Sequence, residues 1–300
     1  MKTLFLRPIL FSGLGLTISL FTLGLAVAFL GSSCSSGGGG GGGGDGATLE
    51  GLFIDSAVGG MFYESGDLSG LTDSAGTFEF EEGENVQFSI GGIELPLVAG
   101  DIVLTPLQLV DDADDHLDPT VTNVARFLQT IDDDQDPSNG ITISAAVRAG
   151  AADMSLDFET SIADFAVDPN VTNAISVLTF ITSAGERALV SASSAQNHLQ
   201  TTILGAFAGS YSGTFNGDDS GTFALGIDAS GVITGTGDSN DEGSFAISGT
   251  ADASGATDLL GGSVSTGATF GGEVHLDGTI SGTWENAFFG DNGNWSGSKD

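Results

Sequence analysis

A second cysteine is missing from this chain of 300 residues, so Cys34 has no internal disulfide partner and no thiolate metal site can form around it. Stability has to come from packing or from bound cations. Basic residues are nearly as scarce: beyond Cys34 only Arg126, Arg148, Arg187 and Lys299 stand against forty Asp and Glu, a formal charge near −36. A surface so acidic repels phosphate backbones and anionic headgroups, which excludes nucleic acid as a partner. It also keeps a protein soluble, attracts cations and suits a saline medium. Of the three histidines none sits in a recognisable constellation, and neither a Gly-x-Ser-x-Gly elbow nor a His-Glu-x-x-His helix occurs. The chain is therefore read as a non-enzyme, with a hydrolase as the least favoured reading.

What the chain does have, first, is an address. Met1 to Arg7 carries two positive charges, Pro8 to Leu30 is almost wholly apolar, and Gly31-Ser32-Ser33 puts small residues before Cys34, which marks an export signal and not a fold element. The pattern resembles a bacterial lipoprotein signal, although Leu30 stands at the fourth position back from the cysteine where that motif prefers the third. The resemblance implies removal of residues 1–33 and a lipid, palmitate included, on Cys34. The other reading is a plain transmembrane anchor, since Ile9 to Leu30 is long enough to cross a bilayer. Both readings leave residues 45–300 outside the cytoplasm, and Ser35 in place of Asp implies, by the sorting habit of proteobacterial lipoproteins, the outer membrane over the inner. An unbroken run of eight glycines lies within 34–47, a tether with a root-mean-square span of about 20 Å by random-coil scaling.

Three further regions follow, giving an α+β multidomain chain. From 48 to 110 short strands, Leu52-Ile54, Met61-Tyr63, Thr77-Phe80, Val86-Ile90, Ile93-Leu97 and Ile102-Leu104, alternate with Gly, Ser and Asp turns and predict a β-sandwich-like module. From 111 to 208 the apolar period lengthens to about 3.6. Asp118-Pro119 and Asp168-Pro169 each open a helix, with apolar faces Val121, Val124, Ala125, Leu128, Ile131 and Val171, Ala174, Ile175, Leu178, Ile181, and the two similar helices are expected to pack together. A third helix is expected from Ser193, with Gln196 completing a capping box and Ala195, Leu199, Ile203 and Phe207 buried. His198 beside that face reads as a partly buried side chain with one hydrogen bond.

From 209 to 300 turn signals recur about every ten residues between aromatic and β-branched positions, which predicts an antiparallel meander of about eight strands, the number that closes into a small barrel. Tyr211-Ser212-Gly213 and Trp295-Ser296-Gly297 share a pattern, as neighbours across a closing seam would.

Few residues offer chemistry. Asp132, Asp134 and Asp136 alternate in an Asp-rich loop and, with Asn139, make a candidate calcium loop of hard oxygen ligands. It departs from an EF-hand at Pro137 and Ile143, and the other reading is an acidic solvated turn. A second cluster, Asp111 to Asp118, favours a helix dipole, and His116 within it is a minor metal candidate. Glu273, His275 and Asp277 alternate along one expected strand, on its outer face. Phe288 and Phe289 in a Gly/Asn-rich segment either plug the barrel end, the favoured reading, or form a sticky partner-binding tip.

Two resemblances bear on function. Thr72 to Phe80 resembles the turn of transthyretin-like and carboxypeptidase-regulatory-like modules, which implies a spacer or binding platform at a cell surface. The order of Cys34, the glycine tether, Phe53-Ile54-Asp55-Ser56-Ala57-Val58, Asn123 to Asp132 and Ala195-Gln196-Asn197-His198-Leu199 resembles a group of uncharacterised proteobacterial surface lipoproteins that join a common N-terminal module to varied C-terminal domains. The resemblance covers about residues 34–207 and implies a non-enzymatic surface role. The expectation is thus a membrane-anchored, exported lipoprotein with a structural or adhesive role, calcium-stiffened, whose partner is a surface protein or glycan. The alternative is a lipoprotein holding a small apolar ligand in a barrel cavity lined by Phe223, Phe245, Phe270 and Trp284.

Overall fold

The computed structural model describes residues 46–262 and 267–300; the expected export signal, Cys34 and all but the last residues of the glycine-rich stretch lie outside them. Nine short strands come first: β1 (Thr48–Phe53), β2 (Val58–Gly59), β3 (Phe62–Ser65), β4 (Leu68–Leu71) and β5 (Thr77–Glu81). They continue with β6 (Asn85–Ile90), β7 (Ile93–Glu94), β8 (Val98–Ala99) and β9 (Val103–Leu104). One sheet has the order β5-β1-β9, with β9 parallel to β1; the other runs β4-β3-β6-β7, with β8 also on β6. Phe53 and Phe78 of the first sheet meet Phe88 of the second with ring centroids 4.8 and 5.1 Å apart. Burying each such ring stabilises the module by roughly 1.5–3 kcal/mol, so the β-sandwich-like module has its own core. At the β5 turn Asp73 Oδ1 accepts from the amides of Ala75 and Thr77, Gly76 takes a φ of 82°, and the alternation that follows sends Phe78 and Phe80 inward. The strand β4 is an addition to the sequence reading; its Leu-Ser-Gly-Leu carries too few β-branched residues to announce itself.

The helices are α1 (Pro119–Ile131), α2 (Ala145–Gly150), α3 (Ile162–Val167), α4 (Pro169–Phe180) and α5 (Ala192–Phe207), with β10 (Ile141–Thr142) after α1. Asp118 and Asp168 cap α1 and α4 as expected, each carboxylate accepting two amides of the first turn. The third helix starts earlier than the capping-box reading: Ser191 is its N-cap, and Gln196 donates instead to Thr122 Oγ1 of α1. Helix α1 departs more. Every residue from Val121 to Ile131 is buried, because the helix lies between two cores. Val124, Phe127, Leu128 and Ile131 join the module's core, while Val121 and Ala125 join the barrel's.

Eight strands close the barrel: β11 (Gly209–Gly217), β12 (Gly221–Ile227), β13 (Val232–Ser239), β14 (Gly243–Ala251), β15 (Ala256–Gly261), β16 (Ala268–Val274), β17 (Thr279–Asn286) and β18 (Asp291–Lys299). Each pairs antiparallel with the next, and β11 closes on β18 with Gly213 opposite Gly297 and Phe215 opposite Trp295, so the shared aromatic-Ser-Gly pattern does mark the seam. Inward positions alternate large residues with glycine, as in Tyr211, Gly213, Phe215 and Ile280, Gly282, Trp284. The rings of Phe215, Phe245, Phe270 and Trp284 meet inside at 6.0–6.4 Å, so the lumen is filled by its own side chains. The end nearest the helices is closed by Leu204 and Phe207 of α5, which share the barrel's core.

Candidate functional site

Three segments far apart in sequence converge where β1 ends. The turn Asp55-Ser56 follows β1, β10 runs parallel to β2 and brings the Asp-rich loop alongside, and α5 lays His198 across the turn. Asp55 is wholly buried (0 % exposed). Its Oδ2 accepts from Gln129 Nε2 of α1 at 2.8 Å, and the same Gln129 amide reaches Ala195 O of α5 at 3.3 Å. Its Oδ1 has no hydrogen-bond partner. Burial, only partly offset by Gln129, pushes the Asp55 carboxyl up to about 7.

Ser56 adopts a φ of 53°, in the left-handed region that a β-carbon disfavours. Its amide donates to Thr202 Oγ1 of α5 at 3.1 Å, and its Oγ lies 3.1 Å from His198 Nε2. That nitrogen also lies 3.3 Å from Asp55 O and 3.8 Å from Asp55 Oδ1. Burial holds His198 below its ordinary value, against the pull of the Asp55 carbonyl and the charge of Asp136. The three residue types match a nucleophilic triad, but the geometry does not. Ser56 and Asp55 face the same ring nitrogen, so no carboxylate orients the imidazole from Nδ1, and the Ser56 amide that would serve an oxyanion is engaged by Thr202.

The Asp-rich loop folds on its own hydrogen bonds. Asp134 accepts from the Asp136 amide at 2.9 Å and from Asn139 Nδ2 at 3.0 Å, Asp136 accepts from Ser138, and Asp132 Oδ1 accepts from the Thr142 amide at 2.8 Å. Asp132 Oδ2 is buried without a partner, and burial, with Asp134 beside it, pushes the Asp132 carboxyl up to about 6. Basic charge does offset the loop, from a distance in sequence. Arg187 donates to Thr130 O and to Asp132 O, and the carboxylates of Asp132, Asp133 and Asp134 act on it. Among the described residues no three His, Cys, Asp or Glu side chains gather as for a metal ion.

The remaining candidates lie apart. Strand β16 ends at Val274, so His275 and Asp277 belong to the following turn and not to a strand, and Asp277 spends an oxygen on the amide and hydroxyl of Thr279. Glu273, His275 and Asp277 are all exposed. His275 and Asp277 border a groove of about 450 Å³ between module and barrel, floored by Leu107, Ile203, Phe207 and Val274. His116 stands near Asp115 and Asp252, with a buried Nδ1 lacking a partner. Phe288 and Phe289 do not plug the barrel. They are 65 % and 55 % exposed at the β17–β18 hairpin and stack edge to face at 4.9 Å, because the lumen already holds its own rings.

Sequence reading had placed His198 as partly buried but had not joined it to Asp55, Ser56, Gln129 and Thr202. The signal in the sequence is that Phe53 to Val58, Asn123 to Asp132 and Ala195 to Leu199 are the segments that carry the resemblance to surface lipoproteins. No family model matches the chain, and no curated protein matches it.

Proposed function

We propose that this chain is an exported surface lipoprotein, anchored through a lipid on Cys34, whose barrel presents an adhesive tip to a surface protein or glycan. The observation that carries the reading is the Phe288–Phe289 pair, two large apolar rings left in solvent at the tip of a barrel whose interior is already full. Contiguous exposed apolar surface is a mark of interaction sites, and here it is built from two neighbouring rings at one hairpin. The module and helices act as a rigid spacer in this reading, since α1 and α5 contribute to the barrel's core. What speaks against a small apolar ligand in the lumen is the set of ring contacts that fill it. Calcium at the Asp-rich loop is an accessory proposal, supported by the unpartnered Asp132 Oδ2 and tested by a calcium-specific rise in unfolding temperature over magnesium.

The adhesive reading is tested with cells producing the full chain, scored for attachment to immobilised glycans and to cells lacking the chain. The double variant Phe288→Ser, Phe289→Ser is expected to reach the envelope at normal level and to lose attachment. Attachment unchanged in that variant would remove the tip from the account.

A further inference from the structure

His198 Nε2 faces three oxygens at once: Ser56 Oγ at 3.1 Å, Asp55 O at 3.3 Å and Asp55 Oδ1 at 3.8 Å. One imidazole N–H serves one or two of these, and the oxygen it leaves out, Asp55 Oδ1, is wholly buried and has no hydrogen-bond partner of its own, while Oδ2 is held by Gln129. Buried carboxylate oxygens are nearly always satisfied. The three separations have another sense. Around a cation with bonds of about 2.1 Å, neighbouring ligands lie about 3.0 Å apart at right angles and about 3.4 Å apart at tetrahedral angles. Ser56 Oγ and Asp55 O lie within that range of the nitrogen, and Asp55 Oδ1 lies a few tenths of an ångström beyond it.

The surroundings favour a positive ion over any cationic side chain. Arg126 holds Val190 O and Ile162 O, Arg148 holds Gly60 O and Ile143 O, Arg187 holds the Asp-rich loop, and Lys299 holds Ala206 O. No basic side chain is left to pair with Asp55 among the described residues. Asp136 stands close enough for its charge to act on His198, which makes the mouth of the site negative. His198 retains 18 % exposure, so an ion has a route in from solvent. The strained Ser56 turn, held by Thr202, is what aims the hydroxyl and the Asp55 carbonyl at the same point.

We propose that Asp55 Oδ1, Ser56 Oγ and His198 Nε2, with the Asp55 carbonyl, bind one divalent first-row transition ion of the Zn2+ or Mn2+ class. One imidazole among oxygen donors suits those ions better than Ca2+ or Mg2+. Bound there, the ion ties the end of β1 to α5, whose C-terminal half lies in the barrel's core, and so joins module to barrel.

The test uses the full chain in detergent, stripped with chelator and titrated at pH 7.5 with Zn2+, Mn2+ and Mg2+ by calorimetry and thermal unfolding. One equivalent of Zn2+ or Mn2+ is expected to bind at least tenfold tighter than Mg2+ and to raise the unfolding temperature by several degrees. Co2+ in the same site is expected to give visible absorption bands. His198→Gln and Asp55→Asn should each abolish the tight equivalent and the bands, while Glu273→Gln on the barrel wall should keep both. Tight uptake that survives His198→Gln would place the ions on the acidic surface and overturn the proposal. So would the absence of any uptake above Mg2+, which would leave Asp55 holding a proton or a water. If Asp55→Asn does not fold, the His198→Gln variant, at a site not fully buried, decides alone.

Discussion

At the residue scale, buried acids set the pH response. The Asp55 carboxyl titrates near 7 in the folded protein against an unfolded value of 3.8, so between those values the folded state holds a proton that the unfolded state has lost. Stability of the metal-free protein is therefore expected to fall as pH rises from about 4 to about 7 and then to level off, with Asp132 adding to the lower part of that window. In chelator at pH 8, Asp55→Asn is expected to be more stable than the parent by on the order of a few kcal/mol, and to lose most of the slope. Urea unfolding at pH 5 and pH 8 checks this; a variant less stable at both would show that the carboxylate has a partner of value. None of this was legible in the sequence. Asp55 follows a strand and precedes a serine, as many turn residues do, and only the packing of Gln129 and His198 over it makes it a buried acid.

Elements were more legible, and their failures have a common cause. The N-caps of α1 and α4 were read correctly because Asp-Pro satisfies orphan amides locally, with no help from the rest of the fold. The single apolar face given to α1 was too narrow, because periodicity takes polar residues for solvent-facing ones. Asn123, Arg126 and Gln129 are buried and turned to other segments, holding Phe158 O, Val190 O and Asp55. Arg187 works the same way at the other end. Helix α1 has no basic residue in its last turn, and Arg187 supplies donors to Thr130 O and Asp132 O from 55 or more residues away. Arg187→Ala is expected to destabilise by about 2–4 kcal/mol in urea unfolding, with Arg187→Lys recovering little, since a point charge cannot reach all of those acceptors. A loss under about 0.5 kcal/mol would mean water replaces the guanidinium. In the barrel, rings lie against several of the glycines. A β-carbon at Gly272 would meet Ser281 O at 2.1 Å and the Trp295 ring at 2.7 Å. Gly272→Val is therefore expected to cost about 1–3 kcal/mol and to shift tryptophan emission to the red. An unshifted spectrum with native stability would contradict this packing.

At the scale of the whole molecule the charge dominates. Forty acidic against four basic residues beyond Cys34 leave a net repulsion that salt screens, with a Debye length that falls from about 30 Å to about 3 Å between 0.01 and 1 M. The unfolding temperature is expected to rise by several degrees over that range of NaCl, and a flat response would mean that the carboxylates are too well spaced to repel. The barrel follows the module and helices in the chain, so the Phe288–Phe289 tip lies far in sequence from Cys34 and, in the proposed reading, from the membrane. The fold class and the closed barrel were legible from turn spacing. The exposure of the tip was not, because whether two phenylalanines fit inside depends on how many rings the lumen already holds.

The most direct measurement inserts a short epitope between Phe289 and Gly290 of the full chain and stains intact and permeabilised cells. The account expects full staining of intact cells, lost from the cell and recovered in a soluble fraction when Cys34 is changed to Ala. Staining that appears only after permeabilisation would contradict a tip turned outward to a partner.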